Sequence, residues 1–238
     1  VREMITDSVF SEEELDIYKQ NSKQRIKVNL QKCDFVATRL IDAYLYGEQH
    51  PYGKYTNPED LDALTSQQLK DFFNQYYLNG QCVIFVSGKL PADIETQLNK
   101  AFGDLALKAF NNQLSTIAQA PAAEKKYRIQ NDVDGVQGAI RIARPFPNRH
   151  NPDFMKVMVL NTVFGGFFGS RLMSNIREDK GYTYGIHSYV QNHIHESAWL
   201  ISTEAGKDVC EAAAAVGAPT RSPRAGAGVR SHEGGHAA

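Results

Sequence analysis

Residues Phe164–Tyr189 read FGGFFGSRLMSNIREDKGYTYGIHSY, a glycine-rich turn feeding a short amphipathic helix and then an alternating strand. Gly165, Gly166 and Gly169 suggest a tight turn in which the backbone approaches something closely, and a plain loop and a ligand cradle both satisfy that pattern. Ser170 can cap the helix Arg171–Glu178, whose Leu172, Met173 and Ile176 would pack inward. Gly181 is a natural terminator, after which Thr183–Val190 alternates like a half-buried strand. Tyr184, Ile186, Ser188 and Val190 then share one face, and His187 and Tyr189 the other. The stretch presents Arg177 and Tyr184 close together in sequence, an arrangement suited to holding a peptide. Taken singly, Arg177 also reads as a surface cation near a helix C-terminus and Tyr184 as an amphipathic residue at a sheet surface.

The segment before it has its own punctuation. Ser11 with Glu14 forms a capping-box pattern flanked by Phe10 and Leu15, which starts a helix running into the twenties. A second helix, about Asp34–Tyr46, carries apolar residues with a period near 3.6 and stops at Gly47, before the turn Glu48–Gly53. Asn57-Pro58 opens a short helical turn, and Thr65 with Gln68 repeats the capping box ahead of Phe72, Phe73 and Tyr76. Cys82–Ser87, CVIFVS, reads as a buried strand, and Pro91 leads into a helix at about Asp93–Phe102. Helix, helix, strand and helix make an α/β layer rather than a helical bundle.

From Lys108 to Lys126 the periodicity fades into a linker composition of Asn, Gln, Ala and Pro. Gln137–Ala143 then reads as a strand, Asn151-Pro152 opens a helix through Phe164, and Ala198–Thr203 reads as a further strand. The expected organisation is a first unit over residues 1–107, a linker over 108–128, and a second unit over 129–215. Strands Cys82–Ser87 and Gln137–Ala143 are expected at the centres of their sheets. A helix starts at about Asp208–Ala215 and loses its apolar face; residues 211–238 hold almost no large apolar side chain and cannot offset their ordering entropy, so they are expected to lack a core, with 216–238 an irregular tail. They also depart abruptly in style, and a shifted reading frame is the leading explanation.

At 238 residues, 42% hydrophobic and 22% charged, the chain has the makeup of a soluble globular protein able to bury real cores. A net charge of −1 supplies no global field for nucleic acid or anionic membrane. No apolar run approaches bilayer length, which argues against membrane insertion. Cys33, Cys82 and Cys210 match no zinc or redox spacing and read as buried small hydrophobes.

A pair of histidines one helical turn apart with an adjoining glutamate, the pattern that sets two imidazoles on zinc beside a general base, does not occur. His193 and His195 would face the same way on a strand, but an exposed hairpin with ordinary histidines is the preferred reading. GGFFG lacks the lysine ending of a phosphate loop and does not fit the dinucleotide fingerprint.

Phe164-Gly165-Gly166 with Ser170-Arg171-Leu172, followed by Arg177-Glu178-x-x-Gly181-x-x-Tyr184, resembles the C-terminal-domain signature of the pitrilysin/insulinase-type zinc peptidases, the family that includes mitochondrial processing peptidase. Phe10–Leu15, His50-Pro51-Tyr52-Gly53, Leu64-Thr65, Phe72–Tyr77 and Val83–Gly88 resemble the second half of that family's N-terminal domain. The resemblance covers roughly residues 5–210. It implies an α+β fold of two sandwich units, helices packed on mostly antiparallel sheets, both incomplete. It assigns Arg177 and Tyr184 to the catalytic site, reaching across a clamshell to substrate, and Gly165, Gly166, Ser170 and Arg171 to substrate binding. The family's third zinc ligand is a glutamate on a helix before the His-Pro-Tyr-Gly region. The matching stretch, Lys19–Asn29, holds no carboxylate, and Gln24 lies near the expected place.

The resemblance therefore implies a fragment or non-catalytic subunit of a zinc-dependent peptidase, with no metal in this chain and Zn²⁺ in a homologous partner subunit or a region outside it. In such a site zinc-bound water would attack the scissile carbonyl, with Tyr184 stabilising the oxyanion and Arg177 fixing peptide carbonyls or a carboxylate. The substrate implied is a peptide or unfolded polypeptide. Two alternatives stand beside this: an inert structural or peptide-binding module of the same shape, and a damaged coding sequence with no folded product. The bacterial periplasm or cell envelope is the expected compartment if the parent has a signal peptide.

Overall fold

A computed structural model describes residues 1–78, 82–105, 118–121 and 127–217. The chain divides into two compact units, Val1–Val133 and Asp134–Ala238. The expected linker falls largely outside the described residues, as does the tail beyond residue 217.

In the first unit the described residues form helices: α1 (Arg2–Thr6), α2 (Glu12–Asn29), α3 (Cys33–Tyr46), α4 (Pro58–Asp62), α5 (Ser66–Phe72) and α6 (Ile94–Phe102). Their starts follow from local chemistry. Ser11 Oγ accepts the Glu14 N–H at 3.4 Å, and three glutamates in the first turn of α2 complement its dipole. Asn57 with Asp60, and Thr65 with Gln68, close reciprocal capping boxes on α4 and α5. The last turn of α5 widens into a π-helical segment, Phe73–Tyr77. Helix α3 ends on Gly47, whose φ of 100° favours glycine. The turn that follows folds back on it: His50 Nδ1 accepts the Tyr52 N–H at 3.2 Å, and the His50 ring stacks on the buried Tyr46. A Cβ on Gly53 would lie 2.2 Å from the Gly47 carbonyl oxygen, so that position excludes any larger residue.

The strand expected at Cys82–Ser87 does not form. These residues have no regular structure and are exposed, Phe85 to 92%. No strand occurs among the described residues of the first unit, so this run has no ladder to join. Its β-forming composition expresses a fit to a paired, half-buried surface and cannot make a strand alone. Cys82 is likewise exposed, whereas Cys33 and Cys210 are half-buried, and none of the three forms a disulfide among the described residues.

The second unit is built on a three-stranded antiparallel sheet in the order β1-β3-β2, with β1 at Gln137–Pro145, β2 at Thr183–Asn192 and β3 at Ser197–Gly206. Strand β1, expected at the centre, is an edge; β3 takes the centre and is buried along almost its whole length. The hairpin explains this, because β2 and β3 are adjacent in sequence and β1 pairs with the free side of β3. The register sets Ile142 and Ser188 on either side of Ile201.

Against that row packs the segment Arg171–Asp179, π-helical from Met173. Leu172, Met173 and Ile176 meet Ile186 and Ile201 in the core, flanked by Ile142, Phe164, Tyr182 and Trp199. This is the inward face expected from the sequence. Helix α7 (Phe154–Asn161) starts three residues later than Asn151, which instead makes a side-chain turn: its Oδ1 accepts the Asp153 N–H at 2.9 Å. Helix α8 (Cys210–Gly217) is the last described element and buries Ala213, so the stretch expected from residue 211 to lack a core is instead helical through 217, the helix packing against β1 and β3. The architecture is α+β, with mixed helices and a small antiparallel sheet.

Candidate functional site

The candidate site is assembled from the turn after α7 outward. Helix α7 passes into a π-helical turn, Thr162–Gly166, at the buried Asn161. Asn161 Nδ2 donates to the Ser188 carbonyl at 3.1 Å, and its Oδ1 accepts from Ser188 Oγ at 2.7 Å and from Trp199 Nε1 at 2.8 Å. One amide thus ties the turn to both β2 and β3. Gly165 follows at the point of closest approach: a Cβ there would lie 2.5 Å from Ser188 Oγ and 2.8 Å from the Ser188 nitrogen. The close approach implied by the glycines is therefore made, at Gly165, to the protein's own strand. Gly166 is exposed, with nothing nearer than 3.4 Å to a Cβ placed on it.

Ser170 behaves differently from the sequence expectation. Its side chain is fully buried and its Oγ makes no hydrogen bond; the helix start is held by its backbone carbonyl, which accepts the Ser174 N–H at 2.9 Å. Arg171, next in sequence, is exposed.

The helix carrying Arg177 ends at Gly181, whose φ is 66°. The Gly181 N–H donates to the Arg177 carbonyl at 3.1 Å, and the Tyr182 N–H to the Ile176 carbonyl at 3.1 Å, an αL termination that reverses the chain into β2. The Arg177 guanidinium lies 4.6 Å from the centroid of the Phe168 ring. Among the described residues it makes no ion pair or hydrogen bond.

Tyr184 is 93% exposed and does not share the buried face of Ile186 and Ser188. A register shift between Thr183 and Ile186 is the cause: Thr183 pairs with Ala205 and Ile186 with Thr203, three residues of β2 spanning two of β3. Such a bulge breaks the two-residue alternation and re-aims the side chain within it. Thr183 and Thr203 lock it, their hydroxyls 2.9 Å apart, with Thr183 Oγ1 accepting the Gly185 N–H at 3.1 Å. Phe168, Asn161 and Thr183 are site residues that the sequence reading missed. A signal existed for Phe168, since adjacent aromatics between glycines fit neither a helix stripe nor a strand.

His193 and His195 stand in the turn between β2 and β3, the hairpin position preferred from the sequence. His193 closes that turn by donating its N–H to the Glu196 carbonyl at 2.9 Å. On α2, Gln24 lines an open cleft of about 550 Å³ together with Gln20, Lys23, Lys27, Leu30 and Pro58. Two ammonium groups and two neutral amides do not fit a divalent cation, which needs anionic or imidazole ligands. Lys23 is also paired with Asp62. Among the described residues there is no group of three or more His, Cys, Asp or Glu side chains arranged to hold a metal ion. Nor is any described helix long and apolar enough to cross a membrane.

The chain is a member of the M16, pitrilysin/insulinase-type peptidase family, matching the family described as "Peptidase M16 inactive domain" over residues 63–216. Among bacterial relatives, it is 27% identical over 198 residues to the "Probable inactive metalloprotease YmfF" of Bacillus subtilis, covering 80% of this chain and 44% of that protein. It is 25% identical over 188 residues to the "Uncharacterized zinc protease YmxG" of the same organism, covering 79% and 45%. The crystal structure of a peptidase M16 inactive domain from Pseudomonas fluorescens superposes with a TM-score of 0.70 at 25% identity, over 86% of this chain and 50% of that one. The chain spans about half the length of these relatives.

Proposed function

We propose that this chain is a non-catalytic M16 module that holds a peptide or unfolded polypeptide through Arg177 and Tyr184, at a site whose zinc is supplied by a homologous subunit or domain. One observation carries the reading. Arg177 and Tyr184 stand on consecutive elements joined by Gly181, and neither side chain has a hydrogen-bond partner among the described residues, while Asn161, Thr183, Ser188 and Thr203 of the same unit are hydrogen-bonded. A guanidinium with its donors uncommitted suits peptide carbonyls or a carboxylate. A phenol hydroxyl suits an oxyanion that develops on a carbonyl under attack. Gly166 and Arg171, both exposed, would border the bound peptide. Gly165 and Ser170, both buried, would shape the turn that carries them. The fuller architecture in this reading is two helix-on-sheet units. The misfit of zinc to the α2 cleft and the family's description as an inactive domain both support a module that contributes contacts rather than metal.

The test is peptide hydrolysis by the full-length parent assembled with a zinc-bearing homologue. Arg177→Ala and Tyr184→Phe should each lower the rate roughly a hundredfold, the cost of about 3 kcal/mol for one lost transition-state donor, with zinc content unchanged. Equal rates for wild type and both variants would reduce the pair to ordinary surface residues. The same module without chemistry, a purely structural relative, would then be the better account.

A further inference from the structure

We infer that Phe168 is the positioning residue of Arg177, fixing the guanidinium over its ring so that the arginine's hydrogen-bonding edge is set before a ligand arrives. The inference rests on the reading above only for what the arginine binds; the positioning itself rests on geometry. The guanidinium carbon is 4.6 Å from the Phe168 ring centroid, well within the distance at which a cation is drawn to an aromatic face. A stacked guanidinium offers its planar face to the ring and keeps its N–H groups at the rim. Among the described residues those N–H groups have no ion pair or hydrogen bond, so the ring is the contact that restrains them.

The turn explains why an exposed phenylalanine stands there. A Cβ on Gly169 would come within 2.9 Å of the Phe167 ring, so glycine leaves room for Phe167 to fold back over it. Phe168 points elsewhere, remains 63% exposed, and covers the arginine instead of entering the core. An exposed aromatic in a tight turn gains little from its own burial. Its use is to reduce the freedom that a flexible arginine would otherwise lose on binding.

The experiment uses the full chain, labelled with ¹³C and ¹⁵N, as wild type, Phe168→Leu and Phe168→Tyr. In wild type the Arg177 δ-methylene and Nε–H resonances should be shifted upfield by the ring. The shift should vanish in Phe168→Leu and return in Phe168→Tyr, with core resonances of Ile176 and Ile201 unchanged in all three. Fluorescein-labelled, dephosphorylated β-casein serves as the unfolded-polypeptide probe. Its affinity should fall roughly threefold in Phe168→Leu and recover in Phe168→Tyr, as expected for an exposed cation–π contact. Arg177 resonances identical in wild type and Phe168→Leu would overturn the inference. A ring shift present in a chain that does not bind casein would uphold the positioning and reject the peptide-holding reading.

Discussion

The indole N–H of Trp199 donates to the side-chain oxygen of Asn161 at 2.8 Å, joining the central strand to the turn that carries the candidate site. The same oxygen accepts from Ser188 Oγ, so one residue serves three elements. Asn161→Ala would leave the Ser188 carbonyl and hydroxyl without partners in a buried place. A cost of about 2 kcal/mol is expected, read as a fall in urea midpoint with unchanged slope. An unchanged midpoint would show that Asn161 is not a structural tie.

Gly165→Ala places a methyl group against the Ser188 backbone and side chain. Overpacking at such a contact costs about 1–3 kcal/mol, and the turn must shift away from β2. Gly166→Ala, one residue on, meets nothing nearer than 3.4 Å and should change stability little. Thermal melts of the two variants make the comparison; equal melting temperatures would contradict the close approach.

In the first unit, Arg2 donates to both carboxylate oxygens of Asp104 at 2.5 and 2.7 Å, and also to the Ala101 carbonyl. The hydrogen bond from Arg2, with its charge adding to it, lowers the Asp104 pKa below the ordinary aspartate range. A lowered folded pKa means that the pair contributes above the unfolded value, roughly 3.9, and that this contribution is lost as pH falls through the lower folded value. Carboxyl ¹³C titration should find Asp104 ionising at lower pH in wild type than in Arg2→Ala. Both groups are exposed, so the effect is confined to the docking of α1 on α6. Coincident titrations would remove the pair.

How much was legible in the sequence depends on whether the determinant was local. The caps at Ser11, Asn57 and Thr65, the stop at Gly47, and the inward face of Leu172, Met173 and Ile176 were readable, because each is decided within a turn of helix. The state of Cys82–Ser87 and the edge position of β1 were not, since both depend on which distant strand is available for pairing. Tyr184 was assigned to the wrong face for a subtler reason. A single extra residue in β2 reverses side-chain parity, and that bulge is held by Thr183 and Thr203, twenty residues apart. At the candidate site Arg177 and Tyr184 were singled out by the family resemblance, and their role in binding is proposed. The aromatic ring on the arginine was not legible, because a turn conformation decides which way Phe168 points.

The central claim, that Arg177 anchors an unfolded polypeptide without metal in this chain, is tested most directly by fluorescence anisotropy of labelled, dephosphorylated β-casein, titrated with the full chain in excess EDTA. Saturable binding should survive the chelator and weaken roughly tenfold or more in Arg177→Ala, the cost of a hydrogen bond from a charged donor. Binding that is abolished by EDTA, or that is equal in wild type and Arg177→Ala, would contradict it.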